Sequence, residues 1–435
     1  MRRTLVIGAG RSGVAAANFL ASRGEAVILA DGKANPELPY ALDDRVVRAF
    51  GSDDERLLQE VAEIVVSPGV PLAIPLLQRA ASLAIPIIGE IELAFRHLRG
   101  EVVAVTGSNG KSTTTALIGE ILRVAGREPV VAGNIGEPLI RTVDLARPRT
   151  YVLELSSFQL ETIATFRASV ALLLNITPDH MDRYPNFAAY AAAKRRIFEN
   201  QQPGDVAIAN ANLSLEGLRA ERVWRFSASE RVEEGACLEG GEMVINAGGA
   251  ERRIPRSMLR LEGTANVENA LAAWLAARAC GVSDLDVQTA FATFAGLPHR
   301  MVLVRERNGV RWVNDSKGTN VDATLKSLEG FAPSSVILIL GGKDKAGEFE
   351  RMRDLVREKT RVVLTIGAAA KRIADALDGA AEIVEAGDMQ RAVEWAAKNA
   401  RAGETVLLSP ACASFDQYRN FEHRGEHFEQ LVRGL

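Results

Sequence analysis

Short runs of apolar, mostly β-branched residues alternate along the chain with alanine-rich stretches of helical character. This alternation is typical of parallel sheets whose faces are covered by helices, so the pattern predicts an α/β fold. The predicted strands lie at residues 5–7, 27–30, 63–67, 102–105, 151–155, 170–175, 206–209, 301–306, 310–313, 336–340, 362–366 and 405–409.

Two breaks in this pattern predict domain boundaries. A fresh strand at residue 101 leads into a second glycine-rich loop, so the first domain is expected to end near residue 98. An alanine-rich helical stretch ends at Gly296-Leu297-Pro298, and new strands follow it. The predicted domains are therefore residues 1–98, 99–297 and 298–435.

Composition narrows the class of partner. The 435 residues suffice for several cores, and 47% hydrophobic with 25% charged residues is ordinary for a soluble α/β protein. A net charge of -3 gives no reason to expect nucleic acid, and no apolar run approaches the ~20 residues that span a bilayer. Three scattered cysteines fit a reducing compartment. We expect small-molecule substrates, no membrane insertion, a cytoplasmic location and a monomer.

The first glycine loop, GAGRSG at residues 8–13, follows a predicted strand and opens a helix, and Asp31 ends the next strand. This is the dinucleotide-binding fingerprint, in which a helix N-terminus favours the negative charge of a diphosphate. A different phosphate loop begins within about 100 residues, which leaves room for barely more than one mononucleotide half. We therefore expect a nucleotide diphosphate group here; NAD binding and a purely structural turn are the alternatives.

The second glycine loop, TGSNGKST at residues 106–113, stands between a predicted strand and a helix that Gly126 ends. It is a shortened phosphate loop, because Val105 occupies the position of the first glycine in the full pattern. Backbone amides of such a loop converge on phosphate oxygens, Lys111 adds a positive charge, and the Ser112 hydroxyl can ligate Mg²⁺. The loop predicts ATP or GTP binding.

Two acidic or basic side chains near the ends of neighbouring predicted strands are candidate ligands for Mg²⁺. Glu154 ends one strand, and His180 lies just beyond another. The carboxyl ends of strands are where an open α/β sheet presents such ligands. For Glu154 the alternative is a solvated strand end, and for His180 a hydrogen-bonded structural histidine.

Lys194 lies on the apolar face of a helix predicted over residues 188–200. Its neighbours three and four positions away are Tyr190, Ala191, Ile197 and Phe198. From this pattern alone, a lysine that snorkels to solvent is favoured. The alternative is a desolvated, neutral amine that reacts with CO₂ to give a carbamate, which is an oxygen ligand for Mg²⁺.

These segments together resemble the Mur ligase family. The resemblance rests on TGSNGKST, on Glu154 in LELSSFQLE, on NITPDHMDRY at 175–184 and on AAKRRIFEN at 192–200. GNIG at 133–136, SPACASFDQ at 409–417 and RNFEHRG at 419–425 look like the branch that adds D-glutamate. The resemblance covers essentially the whole chain, in order.

That resemblance implies a Rossmann-like N-terminal domain for a UDP substrate, a central phosphate-loop ATPase-like domain, and a Rossmann-like C-terminal domain that binds the amino acid and closes over ATP. It implies an ATP-dependent ligase that activates the carboxylate of UDP-N-acetylmuramoyl-L-alanine as an acyl phosphate and joins it to D-glutamate, in peptidoglycan precursor synthesis. The implied cofactors are ATP, two Mg²⁺ ions and a carbamate on Lys194.

The resemblance also assigns residues to each ligand. The catalytic set is Lys111, Glu154, His180 and Lys194, and the metal set is Ser112, Glu154, His180 and Lys194. The ATP set is Gly107, Ser108, Asn109, Gly110, Lys111, Ser112, Thr113, Asn266, Asn269, Arg300 and Asp315. The UDP-substrate set is Gly10, Ser12, Asp31, Lys33, Ser67, Asn134 and Ser156. The D-glutamate set is Lys317, Thr319, Lys345, Ser414 and Phe421.

Several rival functions stay open. A related ligase could add a different amino acid, or act on a folate as folylpolyglutamate-type enzymes do, although the first glycine loop has no evident use there. An NAD(P)-dependent oxidoreductase would need a second mononucleotide half beside that loop. A non-enzymatic ATP switch would have no use for a lysine on an apolar face near two further ligand candidates.

Overall fold

The structure is a computed structural model that describes residues 3–215, 218–344 and 347–435. The chain forms two compact units, one from residues 1–176 with 188–294 and the other from 177–187 with 295–435. Three sheets with helices packed on them confirm the predicted α/β class, and most strand pairs are parallel. Among the described residues, no helix has both the length and the apolar character needed to cross a membrane.

The first sheet has five parallel strands. They are β1 (Arg3–Ile7), β2 (Val27–Asp31), β3 (Val47–Phe50), β4 (Val61–Val66) and β5 (Ile87–Gly89), with helices α1 (Arg11–Ser22), α2 (Pro75–Ser82) and α3 (Glu90–Phe95) and a 3-10 turn at Glu55–Leu58. The order β3-β2-β1-β4-β5 extends the sheet on both sides of β1. Five strands are more than one mononucleotide half and fewer than the roughly six of a full dinucleotide fold, and the sequence pattern missed two of them, the short edge strands β3 and β5.

The second sheet has nine strands. They are β6 (Gly100–Thr106), β7 (Val130–Gly133), β8 (Arg149–Glu154), β9 (Val170–Leu173), β10 (Val206–Asn210), β11 (Arg222–Ser227), β12 (Gly235–Glu239), β13 (Glu242–Ile245) and β14 (Arg252–Pro255). Their order is β14-β13-β12-β11-β10-β9-β6-β8-β7, and only the pairs β12–β13 and β13–β14 are antiparallel. The strand β6, which leads into the second glycine loop, lies between β8, which Glu154 ends, and β9, which precedes His180, so the strands expected to be neighbours are separated by β6.

The helices of this region are α4 (Lys111–Val124), α5 (Leu139–Thr142), α6 (Ser157–Leu160), α7 (Phe187–Arg195), α8 (Thr264–Ala279) and α9 (Asp284–Thr293), with 3-10 turns at Arg196–Phe198 and Arg256–Met258. Helix α8 is rich in alanine, and its stretch from residue 270 to residue 277 is apolar on all sides and buried. The single helix predicted over residues 188–200 is wrong at its end, because α7 stops at Arg195 and a tighter 3-10 turn follows.

The third sheet has six strands in the order β15-β16-β20-β17-β18-β19, and only the β15–β16 pair is antiparallel. The strands are β15 (Val302–Arg307), β16 (Val310–Asn314), β17 (Val336–Gly341), β18 (Thr360–Ile366), β19 (Glu382–Gly387) and β20 (Thr405–Leu408). The helices are α10 (Val321–Leu328), α11 (Arg353–Lys359), α12 (Ala370–Leu377), α13 (Met389–Asn399) and α14 (Phe421–Gly434), with a 3-10 turn at Phe349–Met352.

Two buried carboxyl groups of α3 attach the first sheet to the second. Glu92 Oε2 accepts the backbone amides of Ala164, Thr165 and Phe166 at 2.8–2.9 Å. Burial alone would raise the pKa of Glu92, but these bonds and the Thr165 hydroxyl hold it below its ordinary value. Glu90 accepts one amide, that of Ile140 at 2.6 Å, and its burial raises its pKa to about 7. The fold therefore stabilises the ionised form of Glu92 and disfavours that of Glu90.

Glu90 predicts a pH-dependent cost to stability. Its ordinary pKa is 4.5 and its folded pKa is about 7, so the stability present at low pH is lost as pH rises from 4.5 through 7. The loss is of the order of 3 kcal/mol. Because Glu90→Gln cannot ionise, we expect this variant to melt above the wild-type protein at pH 8 and close to it at pH 5, as measured by thermal unfolding.

Glu92→Gln is the matched control for this prediction. It removes a carboxylate whose folded pKa is lowered, so it should destabilise the protein at pH 8. A Glu90→Gln protein with the same dependence of melting temperature on pH as wild type would contradict the role given to Glu90.

Candidate functional site

The first glycine loop is held in shape by two of the predicted UDP ligands. Asp31 accepts the Ala9 amide on Oδ2 at 2.7 Å and the Lys33 amide on Oδ1 at 2.9 Å. The Ser67 hydroxyl donates to the carbonyl of Gly8 at 2.9 Å, and Gly8 has a φ of +96°. Asp31 and Ser67 thus stabilise the loop itself, which a sequence argument for ligand contacts did not anticipate.

The start of α1 leaves hydrogen-bond donors available beside this loop. A Cβ on Gly13 would lie 1.8 Å from the carbonyl oxygen of Gly8, so only glycine allows α1 to begin so close to β1. Gly10 is exposed and caps the helix without any side-chain bond, so the first-turn amides near Ser12 remain for an anion. Lys33, whose amide is bonded to Asp31, is exposed to solvent. The arrangement suits a diphosphate.

The second glycine loop leads from β6 into α4 through two glycines with positive φ. Gly107 has a φ of +156° and Gly110, the residue that caps α4, has a φ of +83°. No side chain caps this helix, so the amides of residues 110–113 have no partner within it. Because a helix N-terminus also carries partial positive charge, these amides form an anion site.

The amides that precede this set point elsewhere. The backbone amide of Ser108 donates to the carbonyl of Asn175 at 3.0 Å, and that of Asn109 donates to Asn175 Oδ1 at 2.8 Å. The side-chain amide of Asn175 donates in return to the Asn109 carbonyl at 3.0 Å. Asn175 was not among the predicted site residues, because an asparagine after a strand is typical of any loop.

Both predicted catalytic lysines meet at one carbonyl oxygen of the loop. Lys111 Nζ lies 2.8 Å from the carbonyl oxygens of Gly107 and Ser108, and Lys194 Nζ lies 2.8 Å from that of Gly107. Lys194 is only 2% exposed, so the snorkelling interpretation is wrong. Its ammonium group lies 4.7 Å from the ring centre of Tyr190, whose hydroxyl is 2.9 Å from that of Ser108.

Glu154 ends β8 next to the strand that enters the loop, and it is 1% exposed. Asn134 Nδ2 donates to Glu154 Oε1 at 2.7 Å, and the Asn134 amide donates to the Glu154 carbonyl at 2.8 Å. Oε2 is buried and has no hydrogen-bond partner among the described residues. An unpaired buried carboxylate oxygen is costly unless a cation binds it, and Mg²⁺ prefers such hard oxygen ligands.

Several other predicted residues of the first unit have structural partners, whereas the buried Thr113 hydroxyl has none among the described residues. Ser112 is buried in the first turn of α4. Ser156 caps α6 in a capping box with Gln159. Asn269 Oδ1 accepts the Thr114 hydroxyl at 3.2 Å, and it would lie 2.3 Å from a Cβ on Gly110. Asn266 in turn accepts the Asn269 side chain at 3.2 Å. Asn269 thus packs directly beneath the loop.

His180 belongs to the second unit, although it follows β9 in sequence. It has a φ of +58°, its amide donates to Asp179 Oδ1 at 2.9 Å, and its Nε2 lies 3.6 Å from Asp179 Oδ2. Asn320 Nδ2 donates to the same Oδ2 at 3.0 Å. Asp179 therefore joins His180 to the loop that precedes α10.

The loop after β16 carries a buried carboxyl group. Asp315 Oδ2 accepts the hydroxyls of Ser327 and Ser409, both at 2.7 Å. Burial raises the pKa of Asp315, although these bonds oppose the rise. Arg300 Nε is buried and has no hydrogen-bond partner within the described part of the chain. These two predicted ATP ligands thus differ, since Asp315 is already bonded and Arg300 retains a donor.

Four of the five predicted D-glutamate ligands lie in described segments, whereas Lys345 lies outside the described residues. Lys317 Nζ lies 4.0 Å from the ring centre of Phe421, so these two contact each other directly. Ser414 is buried, and its carbonyl accepts the Tyr418 amide at 2.8 Å. Thr319 is half-buried, with its amide bonded to the Lys317 carbonyl at 2.8 Å.

Arg424 bonds to two loops of this region, and it was not among the predicted site residues. It is 1% exposed, and it donates to the hydroxyl and carbonyl of Ser316 at 3.0 and 2.9 Å and to the carbonyl of Cys412 at 3.1 Å. Its burial lowers its pKa to about 10. Ser316 donates onward to the Phe421 carbonyl at 2.8 Å. An arginine in a helix rich in charged residues gave no sequence signal for burial.

Conventional metal clusters are absent from the described ranges. Within residues 3–215, 218–344 and 347–435, no three His, Cys, Asp or Glu side chains gather as metal ligands. The predicted metal set includes a serine hydroxyl and a modified lysine, so it would not form such a cluster in the unmodified chain.

Comparison with known proteins gives matches along nearly the whole chain. A model of the Mur ligase middle domain matches residues 105–277, a MurD-like N-terminal domain of Mur ligases matches 2–89, and a glutamate ligase domain of Mur ligases matches 299–412. UDP-N-acetylmuramoylalanine–D-glutamate ligase of Koribacter versatilis is 44% identical over 100% of this chain and 98% of its own length. The ligase of the same name from Pelotomaculum thermopropionicum is 43% identical, with the same coverage.

Solved structures with low sequence identity share the fold. A pseudomurein peptide ligase type C from Methanothermus fervidus superposes with a TM-score of 0.62 at 17% identity and covers 100% of both chains. MurF ligase from Thermotoga maritima in complex with ADP gives a TM-score of 0.60 at 17% identity, over 88% of this chain and 92% of its own.

Proposed function

The chain belongs to the Mur ligase family, and from that premise we propose that it uses ATP to join D-glutamate to UDP-N-acetylmuramoyl-L-alanine in peptidoglycan precursor synthesis. Full-length relatives of that activity support the choice of substrates. The observation that carries the chemistry is Oε2 of Glu154, which is buried without a hydrogen-bond partner among the described residues, beside a phosphate loop whose helix has no side-chain cap. Such a site holds a metal and a triphosphate together.

The first step is transfer of the γ-phosphoryl group. An oxygen of the alanyl carboxylate attacks the γ-phosphorus, the bond to the bridging oxygen breaks, and ADP leaves with an acyl phosphate formed. The amides of residues 110–113 orient the phosphates, and Lys111 leaves its two loop carbonyls to reach them. Ser112, Glu154, His180 and a carbamylated Lys194 would hold two Mg²⁺ ions, which offset the charge that develops on the phosphate oxygens.

Carbamylation of Lys194 is part of the proposal because two lysine side chains meet at the carbonyl oxygen of Gly107. The neutral amine adds to the carbon of CO₂ and releases a proton, so an ammonium group becomes an anionic oxygen ligand. In the unmodified chain, Lys111 and Lys194 direct two ammonium groups at one carbonyl oxygen, and like charges this close repel each other. The carbamate replaces that repulsion with attraction.

The second step joins the amine. The amine of D-glutamate adds to the acyl carbon, the bond from that carbon to the phosphate oxygen breaks, and inorganic phosphate leaves. We assign the amino acid to Lys317, Thr319, Lys345, Ser414 and Phe421, because a dicarboxylate needs cationic and hydroxyl partners. The contact between Lys317 and Phe421 and their common link to Ser316 and Arg424 support this assignment.

The remaining assignments follow the same division. Asn266, Asn269, Arg300 and Asp315 are proposed for ATP, and the Nε of Arg300, which has no partner within the described segments, favours its role. Gly10, Ser12, Asp31, Lys33, Ser67, Asn134 and Ser156 are proposed for the UDP substrate, with Asp31 and Ser67 acting through the loop that they hold. Domains at 1–98, 99–297 and 298–435, closure of the last over ATP, a monomeric state and a cytoplasmic location complete the proposal.

The identity of the amine is tested by phosphate release in the presence of ATP, Mg²⁺ and UDP-N-acetylmuramoyl-L-alanine. We expect D-glutamate to drive turnover, and L-glutamate, L-alanine and a diamino acid to fail, because a site built for one stereoisomer leaves buried polar groups unpaired with the others. Turnover with a different amine alone would overturn the D-glutamate assignment and retain the ligase chemistry.

The carbamate is tested with two substitutions of Lys194. We expect Lys194→Ala to lose at least about 100-fold in kcat and to regain part of it with added acetate or formate, because a small carboxylate can enter the space left behind. Lys194→Arg is the matched control, since it keeps a positive charge and cannot form the carbamate. If Lys194→Arg retained wild-type activity, the positive charge would be what matters and the carbamate would be excluded.

A further inference from the structure

The backbone amides of the second glycine loop point in two directions, and Asn175 marks the division. Ser108 and Asn109 direct their amides at Asn175, whereas the amides of residues 110–113 belong to the open end of α4. We propose that Asn175 is a positioning residue for nucleotide binding, which holds the first pair of amides so that the second set stays aimed at phosphate. This rests on the proposed function only in taking the loop as the nucleotide site.

The side chain of Asn175 fixes its own orientation. Its Oδ1 accepts the Asn109 amide at 2.8 Å while its Nδ2 donates to the Asn109 carbonyl at 3.0 Å, so a rotated amide would face donor to donor and acceptor to acceptor. Its backbone carbonyl adds the bond from Ser108. Three bonds from one residue therefore define the peptide planes that enter the turn at Gly110.

Other contacts act on different atoms of the loop, since Lys194 binds the Gly107 carbonyl and the Tyr190 hydroxyl lies 2.9 Å from that of Ser108. Gly107 and Gly110 adopt φ values of +156° and +83°, and glycine has the most conformational freedom to lose. Lys111 holds the carbonyls of Gly107 and Ser108 in the present structure, but it must release them to reach a phosphate. The bonds to Asn175 do not compete with the nucleotide, so they preserve the loop at the moment when Lys111 departs.

Leu174 adds a steric limit from the same segment. A Cβ on Gly107 would lie 3.0 Å from the Leu174 Cβ, and one on Gly110 would lie 3.3 Å from its Cδ1. The Leu174 amide donates to the Thr106 carbonyl at 2.9 Å. The end of β9 thus supports the loop by contact as well as by hydrogen bonds, and Asn175 supplies the directional part.

The proposal is tested by the dissociation constant for MgADP, measured by calorimetry on Asn175→Ala and Asn175→Asp. Alanine removes both side-chain bonds, and we expect about tenfold weaker binding. Aspartate keeps the acceptor but sets an oxygen against the Asn109 carbonyl and adds a negative charge near the phosphates, so we expect a loss of about 30-fold or more.

Asn246→Asp is the matched control. Like Asn175, Asn246 uses both ends of its side-chain amide to bind backbone: its oxygen accepts the Gly235 amide at 2.8 Å, and its nitrogen donates to the Glu233 carbonyl at 2.8 Å. It lies after β13, outside the glycine loop. We expect this variant to bind MgADP within twofold of wild type. An equal loss in Asn246→Asp, or unchanged affinity in folded Asn175 variants, would overturn the proposal.

The same measurement separates positioning from general stability and from the proposed function. A purely structural role would lower the melting temperature and leave the MgADP affinity of the folded protein unchanged. Because MgADP binding requires neither the UDP substrate nor an amine, failure of ligation with D-glutamate would not affect the result.

Amide hydrogen exchange on the wild-type protein decides the matter if the variants do not fold. Without nucleotide, the amides of Ser108 and Asn109 should already be protected, whereas those of Gly110, Ser112 and Thr113 should gain protection only when MgADP is added. Fast exchange at Ser108 and Asn109 before addition, or protection of all five amides only together with the nucleotide, would overturn the proposal.

Discussion

The uncapped N-terminus of α4 constrains the arrangement of the first unit. A helix cannot satisfy its own first N–H groups, and here no side chain caps them. They attract an anion only if the preceding loop turns them outward together, which requires left-handed backbone at Gly110 and close support from Asn175, Leu174 and Asn269. The neighbouring strand end then places Glu154 beside the same loop.

Each unit uses one buried cation to hold loops by their carbonyl oxygens. In the first, Lys194 binds the Gly107 carbonyl beside the phosphate loop. In the second, Arg424 binds the carbonyls of Ser316 and Cys412, next to the residues assigned to the amino acid. A buried cation costs free energy unless it is well bonded. Arg424 offsets this cost with the hydrogen bonds of its planar guanidinium group. Lys194 instead carries a compact ammonium group, and a lysine amine is open to covalent modification.

Sequence patterns predicted the strands that are buried on both faces, because a continuous apolar run leaves few alternatives. They missed strands of other kinds. The strands β3 and β5 are short, and β11–β14 carry charged residues on exposed positions, as in Arg222–Ser227 and Arg252–Pro255. The pKa of Glu90 could not be foreseen either, since it depends on packing against residues far along the chain.

The candidate site shows the same division between local and non-local information. The spacing of its apolar neighbours put Lys194 on an apolar face, because helix geometry is local, but it favoured a side chain that snorkels to solvent, whereas Lys194 is buried. Asn175 gave no signal, since its partner lies 66 positions earlier, and Arg424 acts on Ser316 across 108 positions. Asp31 and Ser67 were assigned to a ligand on pattern alone, whereas the folded chain also uses them to hold the loop.

Isotope transfer from the carboxylate to phosphate tests the central claim most directly, namely that the site at the second glycine loop activates a carboxylate by phosphorylation. The enzyme turns over UDP-N-acetylmuramoyl-L-alanine that is labelled with ¹⁸O in its alanyl carboxylate, together with unlabelled ATP and D-glutamate. The isotope content of the released phosphate is measured by mass spectrometry. Because the carboxylate oxygen that attacks phosphorus leaves with it, each phosphate should carry one ¹⁸O. Phosphate free of ¹⁸O, formed together with the amide product, would contradict the mechanism.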